Sequence, residues 1–270
     1  MVIKKRFRTI LSAAIGLLFF LWILTEPVFA AHPLITDDTG TQGKGKSQIE
    51  LSSQWSFDRE TDDSSGTNVT TKTREGEVKF QYAYGITETA DLILGIPYQW
   101  KKTETDDVTV SDVNGVADLS LEVKWRFYEK DGLSFAVKPG VTLPAGDRDK
   151  GLGTGRATGT LFFITTKDWE ALTAHVNLGY KRYENKLEQR EDIWHASVAG
   201  EWKVTKYIRI VANIGAERNP NPSSQTNPAF ALGGFIYSVS KNIDFDAAYK
   251  RGLNRTEKDN TVLLGLTFRF

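Results

Sequence analysis

The sequence contains no cysteine, and only one methionine and three histidines among its 270 residues. The absence of cysteine excludes disulfide scaffolds, thiol catalysis, and zinc or iron–sulfur sites with cysteine ligands. An excess of one charge is also absent, because 34 basic residues balance 34 acidic ones. The chain therefore lacks the basic surface that binding to a nucleic-acid backbone requires, and we expect no nucleic-acid partner.

Long apolar runs are scarce as well, and the only one spans Ile10 to Leu24. Four basic residues precede it, and Val28-Phe29-Ala30 places small residues where a signal peptidase reads the chain. We therefore predict a signal peptide at residues 1–30, cleaved after Ala30; an uncleaved membrane anchor is the alternative. Cleavage removes four basic residues and one acidic residue, which leaves a net charge of −3. Residues 31–46 are predicted to form an N-terminal periplasmic lead-in segment.

From residue 47 to the C terminus, apolar and polar residues alternate with period two, which is typical of strands with one apolar face. Twelve such stretches can be counted. The stretch from Gly159 to Thr166 is the least regular, because it is apolar on both faces. The fold class predicted for residues 47–270 is all-β: a transmembrane, antiparallel, up-and-down β-barrel of about 12 strands.

The connections between the predicted strands alternate in length. Long polar segments follow the odd strands: Arg59 to Thr73, Lys101 to Val116, Pro144 to Ala157, Glu184 to Asp192, Arg218 to Pro228 and Leu253 to Asn260. Short links follow the even strands. Bacterial outer-membrane barrels alternate short periplasmic turns with longer outer loops, whereas a soluble sandwich has no reason to keep this parity.

Aromatic residues lie near both ends of the apolar faces, as the girdles of membrane barrels do. They are Phe57, Tyr98, Trp100, Tyr180, Trp194 and Tyr249 toward the long loops, and Tyr84, Phe127, Trp202, Tyr207 and Tyr237 toward the turns. The last strand ends with Phe268 and Phe270 on its apolar face. This ending resembles the C-terminal assembly signal of outer-membrane barrels, so we expect the barrel-assembly machinery and outer-membrane lipids as partners.

Three stretches resemble one family, the MetA-pathway of phenol degradation family. They are His32 through Lys46, Gly115 through Phe127, and Leu143 through Gly155, of which the Pro-x-Gly-Asp loop is the most specific. The resemblance covers essentially the whole mature chain. It implies an outer-membrane barrel of Gram-negative bacteria that is presumed to pass aromatic compounds.

Two motifs look chemical but fit their surroundings poorly. Gly40 through Ser47 matches the phosphate-binding loop of ATPases, yet Ser47 opens a strand where that loop requires a helix. Asp147 through Gly151 resembles half of a calcium loop, but it lacks the bidentate acid at position twelve. We therefore interpret the first as a flexible lead-in and the second as a surface loop, and expect neither metal nor cofactor.

Charged residues of both signs occupy the polar face of the strands, which a barrel turns toward its lumen. The predicted lumen-lining set is Glu122, Lys124, Arg126, Lys138, His175, Lys181, His195, Glu201, Arg209, Asp244 and Arg269. Pairing the hairpins by their turn centres places Glu122 opposite Lys138, Glu201 opposite Arg209, and Asp244 opposite Arg269, so that ion pairs can form. The same pairing keeps His175 and His195 about 20 Å apart.

These features predict a non-enzymatic outer-membrane channel or porin-like transporter for passive passage of small solutes, with hydrophobic or aromatic compounds implied only by the resemblance. The alternatives are an outer-membrane enzyme that hydrolyses or modifies lipids, and a structural barrel with a plugged lumen. An enzyme would need a serine or aspartate beside His175 or His195 at the lipid face, whereas both histidines alternate inward. No catalytic residue is therefore predicted.

Overall fold

The computed structural model describes residues 32–62 and 68–270. The predicted signal peptide lies outside these residues. Thirteen strands are present in them: β1 Ser47–Asp62, β2 Val69–Thr87, β3 Ala90–Thr105, β4 Val108–Val116, β5 Leu119–Lys130, β6 Leu133–Leu143, β7 Thr158–Asp168, β8 Leu172–Arg182, β9 Asp192–Lys203, β10 Ile208–Glu217, β11 Ala229–Ser240, β12 Ile243–Gly252 and β13 Asn260–Arg269. A single 3₁₀ turn, Arg148–Lys150, is the one helical element in the described part. No helix of the described residues has the length and apolarity to cross a membrane.

All strand pairs are antiparallel and join sequence neighbours, except that β5 pairs with β3 instead of β4 and that β1 also pairs with β13. The pairing of β1 with both β2 and β13 closes the sheet into a barrel. The start of β1 and the C terminus lie at the end of the barrel with short turns, where the Ser47 amide donates to the Phe270 carbonyl at 2.7 Å. The other end carries the longer loops. The antiparallel barrel of about twelve strands predicted from the sequence is confirmed.

The thirteenth strand arises because one barrel strand is interrupted. The strands β4 and β5 both pair with β3: β4 with its loop-end half, from Tyr98 to Thr105, and β5 with its turn-end half, from Ala90 to Gly95. They follow one another along β3, and the break falls at Ala117 and Asp118. The pair therefore fills one position in the barrel wall.

Two of the predicted long loops are largely paired strand, which corrects the sequence prediction. Lys101 to Val116 contains the end of β3 and all of β4, joined by a turn in which Asp106 and Asp107 have φ of 48° and 63°. Likewise, β1 and β2 remain paired as far as Asp62 and Val69. These extensions are rich in Thr and Val, which favour extended backbone even where neither face is buried.

The outer surface of the barrel is apolar. Leu92, Leu94 and Ile96 on one face of β3 are each more than a third exposed, whereas Ile93 on the other face is 5% exposed. The predicted aromatic residues are exposed at both ends of this surface, apart from Trp100, whose ring packs over Gly76. The C-terminal Phe268 and Phe270 also face outward. An apolar band between aromatic girdles is the surface that a lipid bilayer requires.

The stretch from Gly159 to Thr166, which is apolar on both faces, lies in strand β7. Leu161 and Phe163 face outward. Phe162 faces the lumen, and its ring occupies the space that a side chain at Gly179 would need. Ile164 also faces inward and is fully buried. The lumen is therefore packed at this position, which explains why the alternation of polar and apolar residues is lost there.

Candidate functional site: the barrel lumen

The N-terminal segment, residues 32–46, crosses the lumen instead of lying outside the barrel as the sequence had suggested. Leu34 packs against an apolar patch on strands β11 to β13. Asn213 Oδ1 accepts the backbone N–H groups of Ile35 and Thr36 at 2.9 and 3.1 Å. Asn177 forms two hydrogen bonds with the backbone of Asp37. An extended segment inside a barrel finds no free strand edge, so asparagine side chains provide its backbone partners.

Ion pairs fix the middle of this segment. Lys124 Nζ lies 2.8 Å from Asp37 Oδ1, and Lys138 Nζ lies 2.7 Å from Asp37 Oδ2. Lys124 also lies 3.8 Å from Asp38. Both lysine side chains are at least 85% buried. Buried pairs of this kind depend on one another, because either partner alone would remain a desolvated charge.

The segment ends in a turn that leads into β1. Gly43 and Gly45 have φ of 82° and 76°, and Gly45 donates to the carbonyl of Gly85 at 2.8 Å. A Cβ on Gly85 would lie 1.9 Å from the Gly43 carbonyl oxygen. The residues that resemble a phosphate-binding loop therefore form an ordered turn packed on β2. Strand β1 follows directly, as expected from the sequence.

The space left beside the segment is a cavity of about 390 Å³. Its far wall is the inner face of β1 and β2, with Glu50 paired to Gln81, Ser52 to Lys79, and Gln54 to Glu77. Leu34, Ile93 and Leu263 provide apolar contacts in the same cavity. The cavity is therefore amphipathic, with amide, hydroxyl and charged groups along one wall.

A second cavity of about 200 Å³ continues toward the loop end. Gln54 and Glu77 line both cavities, so the two are adjacent at this pair. The second cavity is bordered by Trp100 on β3 and by Leu152, which extends from the loop between β6 and β7. Together the cavities follow the β1–β2 wall from the N-terminal segment to the outer loops.

Asp118, at the break between β4 and β5, holds the loop of residues 144–157 over this path. Its carboxylate accepts hydrogen bonds from the amide of Gly146 at 2.9 Å and from the amide and hydroxyl of Thr154 at 2.8 and 3.0 Å. Leu152 is consequently 6% exposed. In the same loop, desolvation acts to raise the pKa of Asp147, but hydrogen bonds from Lys150 and from the amide of Asp149 together outweigh it and lower the pKa. The stretch that resembled a calcium loop thus uses Asp147 as a helix cap.

We expect Asp118→Ala to release this loop. Three hydrogen bonds to a charged acceptor are lost, each worth about 1.5–3 kcal/mol. Trypsin should then cut after Arg148 or Lys150 in the folded barrel at least about tenfold faster, since about 1.4 kcal/mol is a factor of ten. Asp112→Ala is the matched control, because Asp112 is exposed on β4 and none of the hydrogen bonds or ion pairs of this loop involves it. Equal cleavage rates in the two variants would contradict the anchoring role.

A buried ionic cluster fills the turn end of the lumen on the opposite side. Glu201 lies 3.3 Å from His175 Nε2 and 3.1 Å from Arg209. Asp244 lies 3.3 Å from Arg209 and 2.9 Å from Arg269. These side chains are 0 to 16% exposed. This part of the lumen is packed by charged groups.

Of the eleven residues predicted to line the lumen, Glu122, Lys124 and Lys138 border the larger cavity. The ion pairs expected from the hairpins do form, with Glu122–Lys138 at 3.6 Å. The predicted register is nevertheless wrong, because Glu122 lies opposite Gly140 and Glu201 opposite Val211. The residues of each ion pair are therefore offset by two positions in register and lie diagonally across the sheet. Long side chains can span this diagonal distance.

The remaining predicted residues form smaller clusters. Arg126 pairs with Glu129 at the turn end. Lys181 pairs with Glu217 at 2.8 Å, and the same carboxylate lies 3.6 Å from His195 Nδ1. His195 Nε2 lies 3.0 Å from Ser197 Oγ, so serine, histidine and carboxylate follow one another in space. However, His195 Nδ1 has no hydrogen bond from any described residue, and Ser197 is 4% exposed. A hydrolase triad needs an oriented histidine and an accessible serine.

Sequence reasoning missed the wall that borders the cavities and the residues that hold the segment. The residues concerned are Gln54, Asn177 and Asn213, which are uncharged, and Glu77, which carries one charge. None of them differs in the sequence from the other polar residues on the inner faces of the strands. The inward parity of each residue was available in the sequence. What was not available is that residues 32–42 enter the lumen, because this depends on contacts between positions 47 to 214 residues apart.

The fold and the lumen define the class of protein. It is an antiparallel barrel with twelve strand positions, closed within one chain, with an apolar belt on its outer surface and a peptide segment in its lumen. This is the architecture of bacterial outer-membrane barrels. The chain belongs to the family described as "Putative MetA-pathway of phenol degradation", whose model matches residues 36–270. The resemblance noted in the sequence is thereby confirmed.

Solved structures share the fold at low sequence identity. The COG4313 outer membrane channel from Pseudomonas putida F1 aligns with a TM-score of 0.66 and 14% identity, covering 86% of this chain and 98% of that one. The translocator domain of the autotransporter NalP from Neisseria meningitidis aligns at 0.53 and 12%, covering 86% and 91%. The NanC porin aligns at 0.51 and 7%, covering 82% and 98%. None of the curated proteins compared with the chain matches it.

Proposed function

We propose that this protein is an outer-membrane channel through which small solutes pass passively, beside the N-terminal segment and along the β1–β2 wall. One observation carries the proposal: two cavities share Gln54 and Glu77 in their walls, one lined by the N-terminal segment and the other by the outer loop of residues 144–157. The similarity in fold to an outer membrane channel supports it. Export by a cleaved signal peptide and insertion by the barrel-assembly machinery, guided by Phe268 and Phe270, belong to the same proposal.

A small aromatic solute with a polar group fits the chemistry of the larger cavity. Leu34, Ile93 and Leu263 would contact a ring, while Gln81 and Ser52 would accept or donate hydrogen bonds to a hydroxyl group. An apolar cavity of about 150 Å³ already binds benzene in another protein. The family description, which names phenol degradation, agrees with this class of solute.

Planar-bilayer recordings of the refolded protein test the function. We expect discrete ion conductance that falls when phenol is added, because the solute occupies the narrow path that ions use. Addition of cyclohexane-1,4-diol at equal concentration is the control for a general solvent effect. A barrel that is folded by heat-dependent gel shift but carries no current would contradict the channel and favour a structural barrel with a plugged lumen.

Lys79 should set the ion preference of the path. It borders the larger cavity, and none of the ion pairs among the described residues includes it. A charge lining a narrow pore sets the local field, so Lys79→Glu should shift the reversal potential in a salt gradient toward cation selectivity. Lys206→Glu makes the same charge change at an exposed turn and should leave selectivity unchanged. The same shift in both variants would mean that total charge, rather than the path, is responsible.

The orientation of the barrel can be tested by labelling. Cysteines introduced at Asp112, Ser223 and Asp259, in the longer loops and the β3–β4 hairpin, should react with a membrane-impermeant maleimide on intact cells. Cysteines at Asp131 and Lys241, in the short turns, should react only after the outer membrane is permeabilised. The reverse pattern would show that the short turns face the exterior.

A further inference from the structure

Basic side chains meet on the lipid-facing side of the barrel at its loop end. Phe57 of β1 is exposed on the apolar outer surface, and Arg74 lies directly opposite it on β2. Lys102 on β3 lies directly opposite Arg74. Residues that are directly opposite in a sheet share one face. Both cations therefore face outward at the level of the aromatic girdle.

A second pair of cations lies one pleat farther from the centre of the barrel. Arg59 on β1 is directly opposite Lys72 on β2, and alternate residues of a strand are roughly 7 Å apart. They have the parity of Phe57 and Arg74 and also face outward. We call Arg59, Lys72, Arg74 and Lys102 the basic rim patch. Both of its cross-strand pairs oppose like charges, which destabilises a sheet and favours an anion between them.

The carboxylates nearest to the patch are engaged by its lysines. Lys72 Nζ lies 2.6 Å from Asp107 Oδ1, and Lys102 Nζ lies 2.7 Å from Glu104 Oε1. Asp112 on β4 is directly opposite Lys102. The protein thus supplies anions of its own to the two lysines of the patch.

The two arginines of the patch are left to the surroundings. Asp259 accepts the backbone N–H of Arg59 at 3.2 Å. The ion pairs and hydrogen bonds of the described residues include neither the guanidinium group of Arg59 nor that of Arg74, and both residues are exposed. On β8, by contrast, an outward-facing arginine at the same end of the barrel, Arg182, is surrounded by carboxylates. These lie at 2.5 to 3.0 Å and belong to Glu184, Glu191 and Asp192.

We propose that the basic rim patch binds the phosphate groups of an outer-leaflet lipid, with Arg59 and Arg74 as the principal ligands. A guanidinium group matches a phosphate group with two parallel hydrogen bonds. Below the patch, Leu51, Phe80 and Ile96 lie side by side on β1 to β3 and are all exposed, which provides an apolar strip for acyl chains. In a bacterial outer membrane the phosphorylated lipid of the outer leaflet is the glycolipid lipid A. The proposal rests on the outward orientation of the longer loops and not on conduction.

Fluorescent lipid A, titrated into the refolded barrel in a neutral detergent and followed by anisotropy, tests the proposal without any measurement of current. We expect saturable binding that weakens at least about tenfold when both phosphate groups are removed from the lipid. The double variant Arg59→Gln with Arg74→Gln should lose a similar factor. The matched control is Arg182→Gln with Arg218→Gln, which removes the same charge at the same end of the barrel and should bind as the native protein does.

Three outcomes would overturn the proposal. One is equal affinity of the native protein and the Arg59/Arg74 double variant, when both are folded by heat-dependent gel shift. Another is equal binding of phosphatidylglycerol, which would make the patch a general anionic-lipid surface. The third is displacement of lipid A by millimolar inorganic phosphate at constant ionic strength, which would mean that the patch holds a free anion.

Discussion

Replacing Glu201 with alanine is expected to lower the free energy of unfolding by about 3–5 kcal/mol, the cost of breaking a buried ion pair by removing one partner. Glu201 is 1% exposed and contacts both His175 and Arg209. Without it, Arg209 loses a carboxylate at 3.1 Å, and the Asp244 carboxylate that it also contacts is shared with Arg269. A guanidinium group then remains desolvated at the centre of the cluster with less negative charge around it.

Urea unfolding in lipid vesicles, followed by tryptophan fluorescence, measures this change. Glu129→Ala is the matched control, because Glu129 forms its ion pair with Arg126 while 59% exposed, and such pairs contribute at most about 1 kcal/mol. A similar loss in both variants would mean that the buried cluster does not stabilise the barrel.

A double variant separates the penalty of a buried charge from lost packing. Glu201→Leu combined with Arg209→Met removes both charges and keeps apolar volume, and we expect it to recover most of the stability lost in Glu201→Ala. Asp244 retains Arg269 in this variant. A double variant less stable than Glu201→Ala would show that the hydrogen-bonding geometry of the pair matters more than the balance of charge.

The outer surface of the barrel could be predicted from the sequence because each strand position has only two choices, lipid or lumen, and the bilayer makes the distinction sharp. Residues such as Trp194 and Tyr249 were assigned correctly on this basis. Register could not be predicted to better than two residues, because a shift by two preserves the face of every side chain. Glu122 opposite Gly140, instead of Lys138, is the consequence.

The lumen was harder to predict because its chemistry depends on what fills it. The polar side chains of Asn177 and Asn213 could face either water or a peptide segment in the lumen. The alternation of polar and apolar residues along their strands is the same in both cases. The buried apolar residues Phe230 and Leu232 on the inner face of β11 have an apolar partner in the lumen. That partner is Leu34, which lies in a segment without periodicity of its own.

Replacing residues 33–42 with a glycine–serine linker of the same length should increase single-channel conductance several-fold. In the native protein this segment crosses the lumen from Asp246 on β12 to Asp91 on β3, and the conducting path is restricted to the cavities along the β1–β2 wall. The linker offers no carboxylate to Lys124 and Lys138 and no leucine to the apolar patch. It therefore has no contacts to offset the entropy lost on ordering in the lumen.

The single substitution Asp37→Asn provides an intermediate case. It removes the charge that pairs with Lys124 and Lys138 but keeps the backbone bonds to Asn177. We expect brief openings to a larger conductance rather than a permanently wide pore, because the segment then dissociates from the lumen wall only part of the time. Asp149→Asn, a charge change of the same kind on the outer loop, should leave the recordings unaltered.

The heat-dependent gel shift of the linker variant decides how a negative result is interpreted. The barrel wall is closed by backbone pairing of β1 with β13, which does not involve residues 33–42, so the folded form should persist. A folded linker variant with native conductance would contradict the segment as the constriction and would place the narrowest point at the loop of residues 144–157. In that case Asp118→Ala, which releases the loop, should produce the larger current instead.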